Sequence, residues 1–193
     1  MVALTNEVRI IGGSHRSRRI RFPTSLGLRP TADRVRETVF NWLRDAVEGA
    51  AILDLFAGSG AMGWEALSRG AKQAVFVEAN AEVARCLCET QRLLGFHDVE
   101  VKNAKAEVFL AGLPRAFDIV FMDPPFHSQI LFSAATTLEE RGWLKEGAMI
   151  YVESEVGLSL TALPTNWRLL RQGGTRMTQF QIYKRSAHRE GDL

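Results

Sequence analysis

The chain has 193 residues, of which 46% are hydrophobic and 24% charged, enough for one domain that buries a full core without disulfide or metal staples. No apolar run approaches the length of a membrane span and the opening MVALTNEVRI has no signal-peptide core, so the expectation is a cytoplasmic globular protein rather than a membrane or secreted one. The net charge of +2 is uneven: Arg9, Arg16, Arg18, Arg19, Arg21 and Arg29 against Glu7 alone give residues 1–30 a charge of +5, leaving −3 for the rest, and a basic arm on a faintly acidic body suits a polyanionic partner.

The first expected element is a hairpin. Val8, Ile10 and Ile11 precede the turn signal Gly12-Gly13-Ser14, and Ile20 and Phe22 alternate with arginines before Pro23. Residues 23–30 read as an irregular connector. A helix follows, because Val35, Val39, Trp42, Leu43, Ala46 and Val47 recur at three- and four-residue steps, with Thr31 or Asp33 as its cap.

After Gly49 the pattern alternates. Strands are expected at Ala51–Phe56, Ala74–Glu78, Val99–Asn103, Phe117–Met122 and Ala148–Glu153, with helices near 61–69, 80–94, 104–112 and 129–141. Strands too apolar for a wet face, separated by helices, predict an α/β fold with a mostly parallel sheet covered on both sides. Trp167–Leu170 and Met177–Lys184 read as a closing hairpin around Gly173-Gly174, and 186–193 as a polar tail. The domain reading is therefore one compact unit: an arm and connector over 1–30, a body over 31–185 and a tail. Cys86 and Cys88 lie two apart in a helix, point in different directions and have no metal-binding companions, so both are expected to be reduced and structural.

The turn Asp54-Leu55-Phe56-Ala57-Gly58-Ser59-Gly60 joins the first strand of the body to a helix. Gly58 and Gly60 allow close approach of backbone to a ligand at the carboxyl ends of the strands, where open α/β sheets bind. Gly58 to Gly63 also matches the dinucleotide pattern G-x-G-x-x-G, a weak sign alone. Asp54 at the strand end would repel a pyrophosphate but attract the cationic amino-acid end of S-adenosyl-L-methionine. Glu78, ending the next strand, is placed to accept both ribose hydroxyls. A carboxylate there could instead only cap the following helix.

Asp123-Pro124-Pro125-Phe126 follows a strand at the same sheet edge. Consecutive prolines remove two donors and present carbonyls, which suits an exocyclic amino group. Its lone pair is delocalised into the ring, and N–H bonds to the Asp123 carboxylate and the Pro124 carbonyl would favour a pyramidal, nucleophilic nitrogen. Phe126 can stack on an extruded base, and positioning supplies much of the rate. A plain structural turn is the competing reading of the tetrapeptide alone.

These residues resemble the RsmD family, bacterial 16S ribosomal RNA guanine(966)-N(2)-methyltransferases. The resemblance spans roughly residues 8–185 and includes Arg9-Ile10-Ile11-Gly12-Gly13, Leu28 to Asn41, both motifs above, Gly142-Trp143-Leu144 and Tyr151-Val152-Glu153-Ser154-Glu155. It implies a Rossmann-like, seven-stranded class I methyltransferase fold with an antiparallel last strand. It further implies S-adenosyl-L-methionine as cofactor and 16S ribosomal RNA, the small ribosomal subunit or its assembly intermediate as partner, with the enzyme taken as a monomer. By position, Asp54, Phe56, Ala57, Gly58, Gly60, Glu78, Asn103 and Thr31 would hold the cofactor. Arg29 and Arg34 would line the methionine end or the RNA entrance, and Arg16, Arg18 and Arg19 would contact phosphates. Trp42, Trp64, Trp143 and Trp167 are expected in packing. The chain departs from many methyltransferases where an acid often meets the adenine amino group: it reads Lys102-Asn103-Ala104-Lys105, so Asn103 would have to accept that bond through its amide oxygen.

Three other functions compete. An amino-group methyltransferase acting on adenine in DNA, or on another RNA guanine, fits the same core, though a separate target-recognition domain is missing. A nicotinamide oxidoreductase fits the glycines but leaves Asp123-Pro124-Pro125-Phe126 unexplained. An RNA-binding assembly factor without catalysis would have little use for Asp54, Glu78 and Asp123 together.

Overall fold

The computed structural model describes residues 4–23, 32–126 and 129–187. Thr31, Arg29 and most of the 23–30 connector lie outside these residues.

Strands β1 (Leu4–Arg9) and β2 (Arg19–Pro23) form an antiparallel hairpin, with Val8 opposite Ile20 and Arg9 opposite Arg19. The alternation in β2 has its expected effect: Ile20 and Phe22 are buried while Arg19 and Arg21 face solvent. Val8, Ile10, Ile20 and Phe22 join the main core. The connecting loop is docked on the body: Ile11 and Gly12 donate their backbone N–H groups to the Glu65 carboxylate, each at 2.8 Å. Ser14 N–H reaches Ser68 O at 2.7 Å, and the His15 ring meets Leu94 O at 2.9 Å.

Helix α1 (Asp33–Trp42) and a short α2 (Arg44–Val47) replace the single helix expected over the same residues. The break is at Leu43, where Ala46 N–H bonds back to Leu43 O in a tighter, three-residue step. Asp33 does not cap: the N-cap residue is Ala32, without a side-chain bond, and the Asp33 carboxylate instead faces Arg36 at 2.6 Å and Arg9 at 3.5 Å.

The body holds strands β3 (Ala51–Asp54), β4 (Gln73–Glu78), β5 (Val99–Asn103), β6 (Phe117–Met122), β7 (Leu144–Glu155), β8 (Trp167–Gly174) and β9 (Thr178–Arg185). Interleaved are helices α3 (Ala61–Ser68), α4 (Ala81–Leu94), α5 (Ala106–Leu110) and α6 (Ile130–Glu140). The seven strands lie in the order β5-β4-β3-β6-β7-β9-β8, with β3 to β7 parallel and β9 antiparallel to both neighbours. The chain winds outward from β3 to β5 and returns to place β6 on the other side of β3. The crevice above β3 and β6 is thus the topological switch point where such sheets bind ligands.

Two apolar layers cover the sheet. One gathers the hairpin, α1, α3 and α4 on Phe76, Phe121, Tyr151 and Ile182. The other sets α5 and α6 on Leu53, Val120, Ile150 and Tyr183. Trp64, Trp143 and Trp167 are buried and Trp42 packs against the first layer, as expected. Cys86 and Cys88 are free thiols, one buried and one half-buried.

Strand β3 stops at Asp54, two residues before the expected Phe56, because the glycine turn begins there, and two other strands run longer than expected. Strand β7 starts at Leu144, opposite Phe117, bulges through Gly147 at φ +73° and regains register at Met149. Strand β8 runs on through Gly173 and Gly174, so the turn falls at Thr175–Met177, closed by Thr175 N–H to Thr178 O at 2.7 Å. Gly173 has no side chain because the Phe180 ring lies across it: a Cβ there would come within 2.5 Å of the ring.

Candidate active site

The site forms at the carboxyl ends of β3, β4, β6 and β7. Register fixes which side chains share it. Asp54 is level with Phe121, and Phe121 with Tyr151. Because side chains alternate along strands, Asp123 and Glu153, one step of two further on, lie on the same face as Asp54, towards α3.

Asp54 is buried, and its Oδ2 accepts the Gly63 N–H at 3.1 Å from the first turn of α3. Burial pushes its carboxyl up to about 7, against the help of the Gly63 bond and assisted by the nearby Glu78 charge. Holding that proton up to neutral pH corresponds to roughly 4 kcal/mol against ionisation, a cost that marks a functional position more than a structural one.

The glycine turn is held by its neighbours. Glu78 Oε2 accepts the Gly58 N–H at 2.9 Å and Oε1 accepts the Asn80 N–H at 2.7 Å. Glu78 therefore anchors the start of α4, while Asn80 caps it by accepting from Glu82 and Val83. Each Glu78 oxygen still has a lone pair for a ligand hydroxyl, so anchoring and ligand recognition are compatible. Gly58 and Gly60 have φ of +50° and +74°. Gly60 is small for an internal reason as well, since a Cβ there would stand 2.4 Å from Trp64 Nε1. Ala57 is buried with its N–H bonded to Val77 O at 2.9 Å, and Phe56 packs half-buried on the second core layer. Asn103 pairs with Glu78 across β5 and β4 and donates its side-chain amide to Glu78 O at 2.9 Å and Ala79 O at 3.1 Å. That fixes the amide's orientation and turns its oxygen, the acceptor expected from sequence, away from those carbonyls.

Asp123 follows β6 directly. Its carboxylate has no hydrogen-bond partner among the described residues, and burial, then Glu153, then Asp54 hold its carboxyl well above the usual range. Pro124 is buried, Pro125 and Phe126 are exposed, and Phe126 is 41% accessible. Together they wall a cleft of about 170 Å3, with Gln129, Ser154 and Glu155 as polar lining.

Glu153 and Tyr151 escaped the sequence reading as site residues. The Tyr151 hydroxyl donates to Glu153 Oε2 at 2.6 Å, both side chains being buried. Burial raises the Glu153 carboxyl, although the Tyr151 bond opposes the rise. An acid ending an apolar strand was the sign that identified Asp54 and Glu78, and it was equally visible at Glu153. Among the described residues no cationic side chain bonds to Asp54, Glu78, Asp123 or Glu153, so these residues form a carboxyl-lined pocket with no counter-ion among them.

The arginines are dispersed. Arg34 is exposed near the start of α1. Arg19 and Arg21 share Glu7 across the hairpin at 2.8 and 2.9 Å, while Arg16 and Arg18 are exposed without an ionic partner among the described residues. The loop carrying Arg16 and Arg18 docks at Ser68, the last residue of α3. Helix α3 begins at the crevice, so this loop sits about 12 Å farther along the helix axis. The structure does not bring Arg16, Arg18 and Arg19 to the crevice.

A family model described as conserved hypothetical protein 95 matches residues 8–184. The chain is 44% identical to the ribosomal RNA small subunit methyltransferase D of Escherichia coli K12, over 97% of this chain and 95% of that one. It is 43% identical to the protein of the same name from Haemophilus influenzae, over 92% and 94%. A solved putative methyltransferase from Escherichia coli superposes with a TM-score of 0.89 at 44% identity, covering 94% of this chain and 99% of that one.

Proposed function

The chain belongs to the RsmD family of ribosomal RNA small subunit methyltransferases, and from that premise we propose that it transfers a methyl group from S-adenosyl-L-methionine to the N2 amino group of a guanine in 16S ribosomal RNA, with guanine 966 as the family's target. One observation carries the chemistry: a half-buried Asp123 carboxylate, free of protein partners among the described residues, followed by a buried Pro124 that shares the wall of a cleft of about 170 Å3 with Pro125 and Phe126.

The residues present fit a cationic cofactor. Asp54 and Asp123 are carboxyls pushed up by burial in a pocket that lacks a positive side chain among the described residues. Adenosylmethionine supplies an activated methyl on a permanently positive sulfur. Asp54 and the Gly58–Gly60 turn would hold its amino-acid end, Glu78 the ribose hydroxyls and Asn103 Oδ1 the adenine amino group. A positive charge in the pocket would oppose the burial and the Glu153 and Asp54 charges that raise the Asp123 carboxyl, and so would favour its ionised, accepting form. Asp123 and the Pro124 carbonyl then accept the two N–H bonds of the guanine amine and localise its lone pair. Phe126 holds the extruded base. Formation of the carbon–nitrogen bond would break the sulfur–methyl bond and leave a neutral thioether, and Asp123 would take the surplus proton from the nitrogen.

The pH dependence follows in sign. Between the unfolded value near 3.8 and about 7, folded Asp54 keeps a proton that the unfolded chain has released, so this group's contribution to stability falls as pH rises through that window. A cationic ligand favours ionised Asp54. Adenosylmethionine affinity should therefore weaken about tenfold per pH unit below 7, with proton release on binding at pH 6. Calorimetry in buffers of different ionisation enthalpy measures both. Affinity independent of pH from 5.5 to 8 would remove Asp54 from the cofactor site.

Exchanging Arg16, Arg18 and Arg19 together for glutamine should weaken binding to full 16S RNA and flatten its salt dependence, yet leave a short single strand unaffected, because the loop is remote from the crevice. An unchanged slope with 16S RNA would clear the loop of phosphate contact.

Labelled adenosylmethionine offered side by side with 16S RNA, assembled small subunits and duplex DNA tests the substrate. Label in either ribosomal form is the expected result. Label in DNA alone would favour the adenine reading. A ribosomal substrate supports a cytoplasmic location, and no helix among the described residues is long and apolar enough to cross a membrane.

A further inference from the structure

Residues 164–187 contain Arg168, Arg171, Arg176, Lys184 and Arg185 and no acid. Arg185 is neutralised by a forked pair with Glu139, the shortest contact being 2.7 Å. The other four are exposed, and none has a carboxylate partner among the described residues. Arg168, Arg171 and Lys184 lie on β8 and β9, with β8 the sheet's outermost strand, and Arg176 is in the turn between them.

Register aligns these cations with the site. Arg171 is opposite Ile182, Ile182 is level with Tyr151, and that row continues through Phe121 to Asp54. The turn with Arg176 stands at the catalytic edge, because Thr178 pairs with Glu155, a residue of the base cleft, and Val156 N–H bonds to Met177 O at 3.0 Å. Gln179 ties the hairpin to the cleft wall through Ser154 Oγ at 3.2 Å and Leu158 O at 2.6 Å. Charges on an edge strand do guard against unwanted pairing, but either sign serves that purpose. Only Arg168 and Arg171 lie on that edge strand, so Arg176 in the turn and Lys184 on β9 need a different reason.

We infer that the β8–β9 hairpin is an RNA-contact surface, along which the strand flanking the target base runs from the cleft past Arg176 and Arg171 towards Arg168 and Lys184. The inference rests on the reading of the substrate as RNA and adds where that RNA lies. Neither the basic amino-terminal segment nor the site motifs pointed to it.

The test exchanges Arg168, Arg171 and Arg176 together for glutamine in the full chain. Binding of a labelled single-stranded RNA oligonucleotide is followed from 50 to 300 mM KCl, and KM and kcat are measured on 16S RNA. Three lost phosphate contacts should make the log–log salt slope shallower by about 2. KM for RNA should rise at least tenfold with kcat within about twofold, since uniform binding is removed. An unchanged slope, or a loss confined to kcat, overturns the inference. If the triple variant does not fold, Arg176→Gln alone decides, with about a third of the slope change expected. Should wild-type protein leave 16S RNA unmethylated, the substrate reading fails by itself, while the oligonucleotide slope still judges the hairpin.

Discussion

Asp123→Ala should lower methyl transfer on the order of a thousandfold, the scale of losing a positioned proton acceptor or electrostatic partner, while adenosylmethionine binds within a few-fold of wild type. Its carboxylate has no bond to the described residues that the change would break, and its charge is opposed by burial, by Glu153 and by Asp54. Folding therefore gains rather than loses, and the melting temperature should not fall. That combination, activity gone with stability intact, belongs to a group kept for chemistry at some cost to the fold. Asp123→Asn, which retains an accepting oxygen without charge, is expected to fall between the two. Activity within tenfold of wild type in the alanine variant would remove Asp123 from the mechanism.

The second large effect is structural. Glu65 and Arg36 are both fully buried, 3.5 Å apart, and Glu65 also accepts from Ile11, Gly12 and Arg69. Arg36 in turn donates to Arg9 O at 2.7 Å. This one carboxylate thereby joins the amino-terminal hairpin, α1 and α3 behind the glycine turn. Glu65→Ala takes the buried carboxylate away from a buried guanidinium and leaves two backbone donors without an acceptor, a loss of about 3–5 kcal/mol. At about 2–4 °C per kcal/mol for a chain of this size, thermal unfolding should move down by roughly 10 °C. Arg36→Met added to Glu65→Ala should recover part of it. A shift under about 2 °C in the single variant would show that the network is dispensable.

The local features were open to sequence reading. Four of the five parallel strands betray themselves by apolar runs such as Phe117–Met122, where only Asp118 is half-exposed, whereas β5 (Val-Glu-Val-Lys-Asn) is the wet edge strand that the expectation of uniformly apolar strands did not allow for. Glycines and prolines mark the Asp54–Gly60 and Asp123–Phe126 turns because their effects are on the backbone itself. What escaped depends on partners far apart in the chain. Glu65 and Arg36 look like ordinary charges on amphipathic helices until α1 and α3 pack with the hairpin between them. Tyr151 and Glu153 join Asp123 only once β7 lies beside β6. The basic amino-terminal segment reads in sequence as a free arm, yet Arg19 and Arg21 are drawn to Glu7 across the hairpin and the loop docks at the far end of α3 from the crevice, so any phosphate contact by Arg16, Arg18 and Arg19 lies away from the crevice. The turn placed at Gly173-Gly174 moved to Thr175–Met177 because the Phe180 ring needs the space over Gly173, a packing demand invisible in a glycine pair.

Catalysis in this reading depends on Asp123 and the Pro124 carbonyl gripping the exocyclic amine of a guanine. The most direct measurement is the identity of the methylated atom: 16S RNA incubated with the enzyme and labelled adenosylmethionine, digested to nucleosides and resolved by mass spectrometry. N2-methylguanosine from wild type, absent with Asp123→Ala, is the predicted result. Label on a ring nitrogen or carbon, or on adenine N6, would contradict it.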